Sequence, residues 1–222
     1  MSLILNIETS TRNCSVSVAR NGQVISIREV AEQGYSHAEK LHVFIEEVLH
    51  EANITYADLS AVAVSQGPGS YTGLRIGVSA AKGFCFALDI PLIAVDTLQA
   101  LASQLSITDG VIVPMLDARR MEVYSAVYDV NYSIIREVRA EIITENSLAE
   151  YDGRVYIIGD CQNKCQPVLN RNNIKYCVDV VFPSAKEMAL LSFEKFQQQD
   201  FVDVAYFEPY YLKDFLILTK KA

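Results

Sequence analysis

The chain has 222 residues, 50% hydrophobic and 21% charged, and 19 Lys plus Arg against 27 Asp plus Glu leave a formal charge of −8. That balance excludes general disorder and argues against a freestanding nucleic-acid binder. No uncharged apolar stretch approaches the roughly 18 residues a bilayer span needs, because Asp89 and Asp96 interrupt the greasiest region, Phe84 to Val95. The opening apolar run stops at Asn6 without a basic flank, so it reads as a strand and not as a signal peptide, and a cytoplasmic location is expected.

In chain order, Leu3 to Thr9, Cys14 to Arg20 and Gln23 to Val30 are rich in Val, Ile and Ser, and Asn21-Gly22 separates the last two as a type I′ turn would. A three-strand meander is expected. Ser36 then caps an amphipathic helix from His37 to about Ala52, with Leu41, Phe44, Ile45, Val48 and Leu49 on one stripe. A short buried strand, Ala61 to Ser65, leads through Gly67-Pro68-Gly69 into a second helix, about Ser70 to Leu88, and Pro91 to Val95 is a further strand. Strands alternating with helices imply parallel pairing by right-handed crossovers. Val111 to Leu116, Glu122 to Val130 and Val138 to Ile143 form a new antiparallel group, and Val155 to Ile158 adds a strand. Ser184 caps a helix through about Phe196, and the tail Glu208-Pro209-Tyr210-Tyr211-Leu212 is aromatic and expected to dock. Two packed lobes are expected, 1–104 and 105–222, the terminal segment being able to pack back on the first.

The three histidines, His37, His42 and His50, lie on or beside the first helix. A step of five turns His37 and His42 about 140° apart, so they do not share a metal and read as surface or packing residues. Five scattered cysteines, Cys14, Cys85, Cys161, Cys165 and Cys177, suit reduced thiols better than a disulfide framework. Cys161 and Cys165 stand at C-x3-C spacing without a further close ligand and read as structural thiols. Gly67 to Gly73 sits between a strand and a helix start, where exposed N–H groups favour an anion, but no lysine follows as in a P-loop. Gly73, Gly77, Ala80 and Ala81 recur at steps of four and three. Glycine costs roughly 1 kcal/mol against Ala inside a helix, so this small-residue stripe needs a compensating close contact. Periodicity leaves two partners open: the protein's own sheet or first helix, or a helix of another molecule.

The run Gly67-Pro-Gly-Ser-Tyr-Thr-Gly-Leu-Arg-Ile-Gly77, with Ile4 to Val18, Ala81-Lys82-Gly83, Pro91 to Val95, Asp117 to Tyr124 and Glu208 to Leu212, resembles the bacterial proteins of tRNA threonylcarbamoyladenosine biosynthesis, in the TsaB (YeaZ) branch. The resemblance spans nearly the whole chain. It implies an α/β architecture of the actin-like ATPase (ASKHA, ribonuclease H-like) fold, with two related lobes, the second smaller and divergent. The catalytic sister family, TsaD (Gcp-like), carries a His-x-x-x-His pair just after the Pro-Leu-Ile strand, where this chain has Thr97 and Leu101; neither a metal nor a cofactor is therefore expected here. The second lobe's phosphate turn corresponds to Asp117-Ala118-Arg119-Arg120, which has no glycine and reads as a hairpin tying its own ends. Glu8, Thr9 and Ser10, after the first strand, are the residual candidates for ligand contact, against simple turn capping.

The resemblance further implies a non-catalytic subunit that binds and activates a TsaD-like transferase, forming threonylcarbamoyladenosine at position 37 of tRNAs reading A-starting codons. A TsaE-like ATPase would join, the chain alone would be a homodimer, and tRNA would be met only through the complex, with no membrane involved. Leu41, Ile45, Ser70, Tyr71, Gly73, Leu74, Gly77, Ala80 and Ala81 are the expected partner interface. The alternatives are a glycoprotease-like or actin-like small-molecule kinase enzyme, and a self-associating binding module.

Overall fold

A computed structural model describes residues 2–32 and 37–212. The expected cap Ser36 lies outside the described residues.

Strands β1 (Leu3–Glu8), β2 (Asn13–Arg20) and β3 (Gln23–Ala31) form an antiparallel meander, and the β2–β3 turn places Asn21 at φ 50° and Gly22 at φ 80°, as a type I′ pair requires. After α1 (His37–Glu51), β4 (Ala61–Gly67) pairs parallel with β1; α2 (Tyr71–Leu88) follows, and β5 (Leu92–Asp96) pairs parallel with β4. The sheet order is β3-β2-β1-β4-β5. Helix α3 (Thr97–Ala102), which the sequence reading did not anticipate, leads into the second half.

There β6 (Val111–Asp117), β7 (Glu122–Tyr128) and β8 (Ile134–Ile142) repeat the meander, β9 (Val155–Ile158) pairs parallel with β6, and β10 (Ile174–Tyr176) pairs parallel with β9. Third, second, first, fourth, fifth is the order again. One unit has been built twice. β8 begins four residues before the expected Val138, and the three-residue β10 is too short to leave a periodic signal. Between β9 and β10 stands only the four-residue α4 (Gln162–Cys165), where the first lobe has the 18 residues of α2. That replacement, together with the lack of a helix among the described residues between β8 and β9 where the first lobe has α1, is the divergence of the second lobe.

Alternation builds the first lobe in layers. Leu3, Leu5 and Ile7 of β1 pack with Leu41, Ile45, Val48, Val78 and Ala81 of α1 and α2, whereas Ile4 points to the opposite face with Ile93, Val95, Ala185 and Met188. That second face is covered by α5 (Ala185–Gln197), a helix that follows the second sheet in sequence and returns to the first. Leu98, Leu101 and Ala102 of α3 pack with Ile112, Leu116, Ala126, Tyr128 and Ile158, joining the lobes through apolar contact. The tail continues along the first lobe: Val202 bridges Leu92 antiparallel, and Lys82 Nζ donates to the Ala205 and Phe207 carbonyls at 3.0 Å each.

Candidate functional site

The loop after β1 carries Glu8, Thr9 and Ser10, the residues expected as candidates for ligand contact. Here most of its polar groups are tied internally, Glu8 Oε2 and the Ser10 hydroxyl being the exceptions. Ser10 N donates to Glu8 Oε1 at 2.6 Å, Thr9 Oγ1 donates to the Gly73 carbonyl at 2.7 Å, and Ser70 N donates to the Ser10 carbonyl at 2.6 Å. Glu8, Thr9 and Ser10 are all buried. A carboxyl group sits where an anion would be bonded, and burial pushes its pKa up to about 7 despite the hydrogen bond it accepts from Ser10 N. Of these contacts only Ser10 N to Glu8 caps the turn itself; the other two tie the loop to the start of α2. His37 is also buried here, its Nε2 2.7 Å from the Thr11 carbonyl, while His42 and His50 are exposed.

Helix α2 starts on this loop. Ser70 caps it, accepting from Gly73 N at 3.3 Å. A Cβ on Gly73 would lie 2.1 Å from the Thr9 carbonyl oxygen, and one on Gly77 would lie 2.3 Å from Thr9 Oγ1. The close contact that compensates these glycines is therefore internal. Most of the expected interface set follows them inward: Leu41, Ile45, Leu74 and Ala81 are buried in this chain's own core, with Gly73 and Gly77. The small-residue stripe is a seat for the β1 loop, not an outward face. Ser70, Tyr71 and Ala80 are half-buried at its margin.

The outward face of α2 is a different stripe: Thr72, Arg75, Ser79, Gly83 and Phe86. Phe86 is 85% exposed and Val43 of α1 is 48% exposed, and a Cβ on Gly83 would meet nothing within 4 Å. Arg75 lies 4.1 Å over the Tyr71 ring, with its Nε donating to Tyr211 Oη at 3.3 Å. The signal that would have found this face is angular, since a step of six carries Gly83 about 120° around the helix from Gly77.

At the positions corresponding to the sister family's ligand pair, Thr97 and Leu101 are fully buried, and Thr97 Oγ1 accepts from Gly67 N at 3.1 Å. One side chain is committed to the β4 end and the other has no donor atom. The second lobe's turn is closed too. Arg119 and Arg120 adopt φ 72° and 53°, left-handed without glycine, and Arg119 N donates to Asp117 Oδ1 at 2.8 Å. Lys164 plugs the hairpin from below: Nζ pairs with Asp117 and donates to the Arg120 and Glu122 carbonyls at 2.9 and 2.8 Å. Nothing in the sequence marked Lys164, which reaches its partners across more than forty residues. Between the lobes and the tail, a cavity is lined by Gln66, Asp96, Glu137, Glu208 and Tyr210; burial raises Asp96 to about 6. Its carboxylates do not favour a phosphate.

Two lobes repeating one sheet order give the α/β, actin-like fold, and in each the candidate loop is tied by the chain's own side chains. The family model for TsaD, tRNA N6-adenosine threonylcarbamoyltransferase, matches residues 29–193. The chain is 36% identical over 135 residues to the tRNA threonylcarbamoyladenosine biosynthesis protein TsaB of Bacillus subtilis (strain 168), covering 61% of this chain and 58% of that one. It is 28% identical over 222 residues to the TsaB protein of Escherichia coli (strain K12), covering 95% and 94%. YeaZ from Pseudomonas aeruginosa superposes with a TM-score of 0.82 at 24% identity, covering 96% of this chain and 100% of that one, a likeness of fold. The chain belongs to the TsaD (Gcp-like) family, in its TsaB (YeaZ) branch.

Proposed function

We propose that this chain serves tRNA threonylcarbamoyladenosine biosynthesis as a non-catalytic subunit, binding and activating a TsaD-like transferase that modifies position 37 of tRNAs reading A-starting codons. The pathway rests on the TsaB relatives. The subunit role is supported by one observation: Phe86, 85% exposed on the outer face of α2, stands one turn from an open Gly83. An exposed aromatic side chain beside a glycine on one helix face suits a partner helix lying close. This face takes the place of the buried residues expected from sequence. Thr97 and Leu101 support the non-catalytic part, because neither position can present a metal ligand pair.

In this reading the transferase holds the metal and the threonylcarbamoyl-adenylate, a TsaE-like ATPase joins, and the same face makes a homodimer when the chain is alone. A glycoprotease-like or kinase activity would need an activated nucleophile or open phosphate loops, and both turns are occupied by side chains.

The experiment is nucleoside mass spectrometry of tRNA from depleted cells complemented with wild type or Phe86→Asp, alongside co-purification with the transferase. Depletion is expected to remove threonylcarbamoyladenosine, wild type to restore it, and Phe86→Asp to fold normally yet neither bind nor restore. Unchanged modification after depletion overturns the pathway. Full rescue by a variant that no longer binds overturns the mechanism, and homodimerisation without transferase binding favours the self-associating module.

A further inference from the structure

The two cysteines that no part of this function uses lie together. Cys161 precedes α4 and Cys165 ends it, with Cys165 N donating to the Cys161 carbonyl at 3.1 Å, so one helical turn joins them. The Cα atoms of residues four apart in such a turn are about 6.2 Å from each other, inside the range a disulfide spans. Both side chains pack in the same core cluster, and Cys161 Sγ donates to the Met115 carbonyl at 3.2 Å. We propose that Cys161 and Cys165 are a reversible thiol–disulfide site, closed by a small disulfide such as oxidised glutathione and reopened by thiols.

Selectivity comes from the surroundings. Burial pushes Cys14 and Cys85 up to about 11, and raises Cys177. Cys165 alone is held below its ordinary value, by the neighbouring Cys161 thiol and the Lys164 ammonium. Both residues are buried against the second lobe's core, but they stand on one short turn whose Asn163 and Gln166 are exposed, so local opening of α4 is the route by which a small disulfide reaches them.

In the first step the Cys165 thiolate attacks one sulfur of oxidised glutathione, forming a mixed disulfide and releasing a glutathione thiolate. Cys161, losing its proton to that thiolate, attacks the Cys165 sulfur and expels the second glutathione, which takes up the proton Cys165 gave up. Two protein thiols are oxidised and one glutathione disulfide is reduced to two thiols, with no net proton change. Lys164, between the two cysteines, ties the β6–β7 hairpin, so closure tightens the turn that holds it.

The test equilibrates the folded full-length chain in glutathione buffers of increasing oxidised fraction, quenches with acid, alkylates under denaturing conditions and maps tryptic peptides. Cleavage after Lys164 separates the two cysteines, so the expected product is a disulfide joining the peptide that ends at Lys164 to the one that begins at Cys165. It should disappear with dithiothreitol and be lost in both Cys161→Ser and Cys165→Ser. Recovery of both residues as alkylated thiols at the oxidising end overturns the proposal. So does a bridge to Cys14, Cys85 or Cys177, or a stable glutathione adduct on Cys165 in the wild type.

Discussion

At Glu8 a single carboxyl group explains why the first loop is closed. Its Oε1 accepts from Ser10 N, while Oε2 and the Ser10 and Ser65 hydroxyls are buried without a partner, so the protonated acid suits the site. A folded pKa of about 7 against an ordinary 4.5 means that the folded state holds the proton longer than the unfolded one. This contribution to stability is complete below pH 4.5 and is lost as pH rises through about 7, amounting to roughly 3 kcal/mol. Glu8→Gln mimics the protonated form, so urea denaturation at pH 5 and pH 8 should show wild type falling behind the variant at the higher pH; an unchanged gap refutes the assignment. The glycines of α2 divide by what they face. Gly73→Ala drives a methyl into the Thr9 carbonyl and should cost about 1–3 kcal/mol, while Gly83→Ala enters open space and should gain up to about 1 kcal/mol in the isolated chain. Thermal melts that rank the two the other way would count against the internal seat.

Helix α5 shows what a pattern of alternation hides. Asn6, Ser15 and Ser17 are polar residues on strands, as a solvent-facing side would have, yet all are buried under α5. Their partners are helix groups: Ser17 Oγ donates to the Ala185 carbonyl at 2.7 Å, Ala185 N donates to Ser15 Oγ at 3.0 Å, and Ser192 Oγ donates to Asn6 Oδ1 at 2.7 Å. Ser184 joins them, accepting from Lys186 N and donating to Glu29 Oε2 at 2.7 Å. Ser184→Ala removes a cap and leaves Glu29 with fewer donors, so a loss of about 1–2 kcal/mol is expected, with faster amide exchange in the first turn of α5 than in α2. Uniform loss across both helices would mean that the cap does not act locally. The meander, α1, α2 and the Ser70 and Ser184 caps were legible because each rests on neighbours in sequence. β10, α4 and the reach of Lys164 were not, since pieces of three or four residues carry no period and cross-lobe ties leave no local trace. The stripe of Gly73 and Gly77 was legible as a demand for closeness, but only the position of Thr9 says what comes close.

Across the whole molecule, charge and closure point the same way. The chain carries −8, its inter-lobe cavity is lined by Asp96, Glu137 and Glu208, and the cations nearest the second hairpin are partly occupied, Lys164 by Asp117 and two carbonyls. Phosphate contacts supply most nucleic-acid affinity and make it steeply salt-dependent, so a protein without a basic tract should hold tRNA weakly. The last prediction follows from that. Filter binding at about 0.15 M salt, where charges beyond about 8 Å are screened, should show no retention of tRNA by this chain alone. In the complex, adding it to the transferase should raise the fraction competent for modification without steepening the dependence of tRNA affinity on salt, because no new phosphate contacts form. A steeper slope would place phosphate-binding groups on this subunit, whereas an unchanged slope with restored modification assigns its contribution to the protein partner.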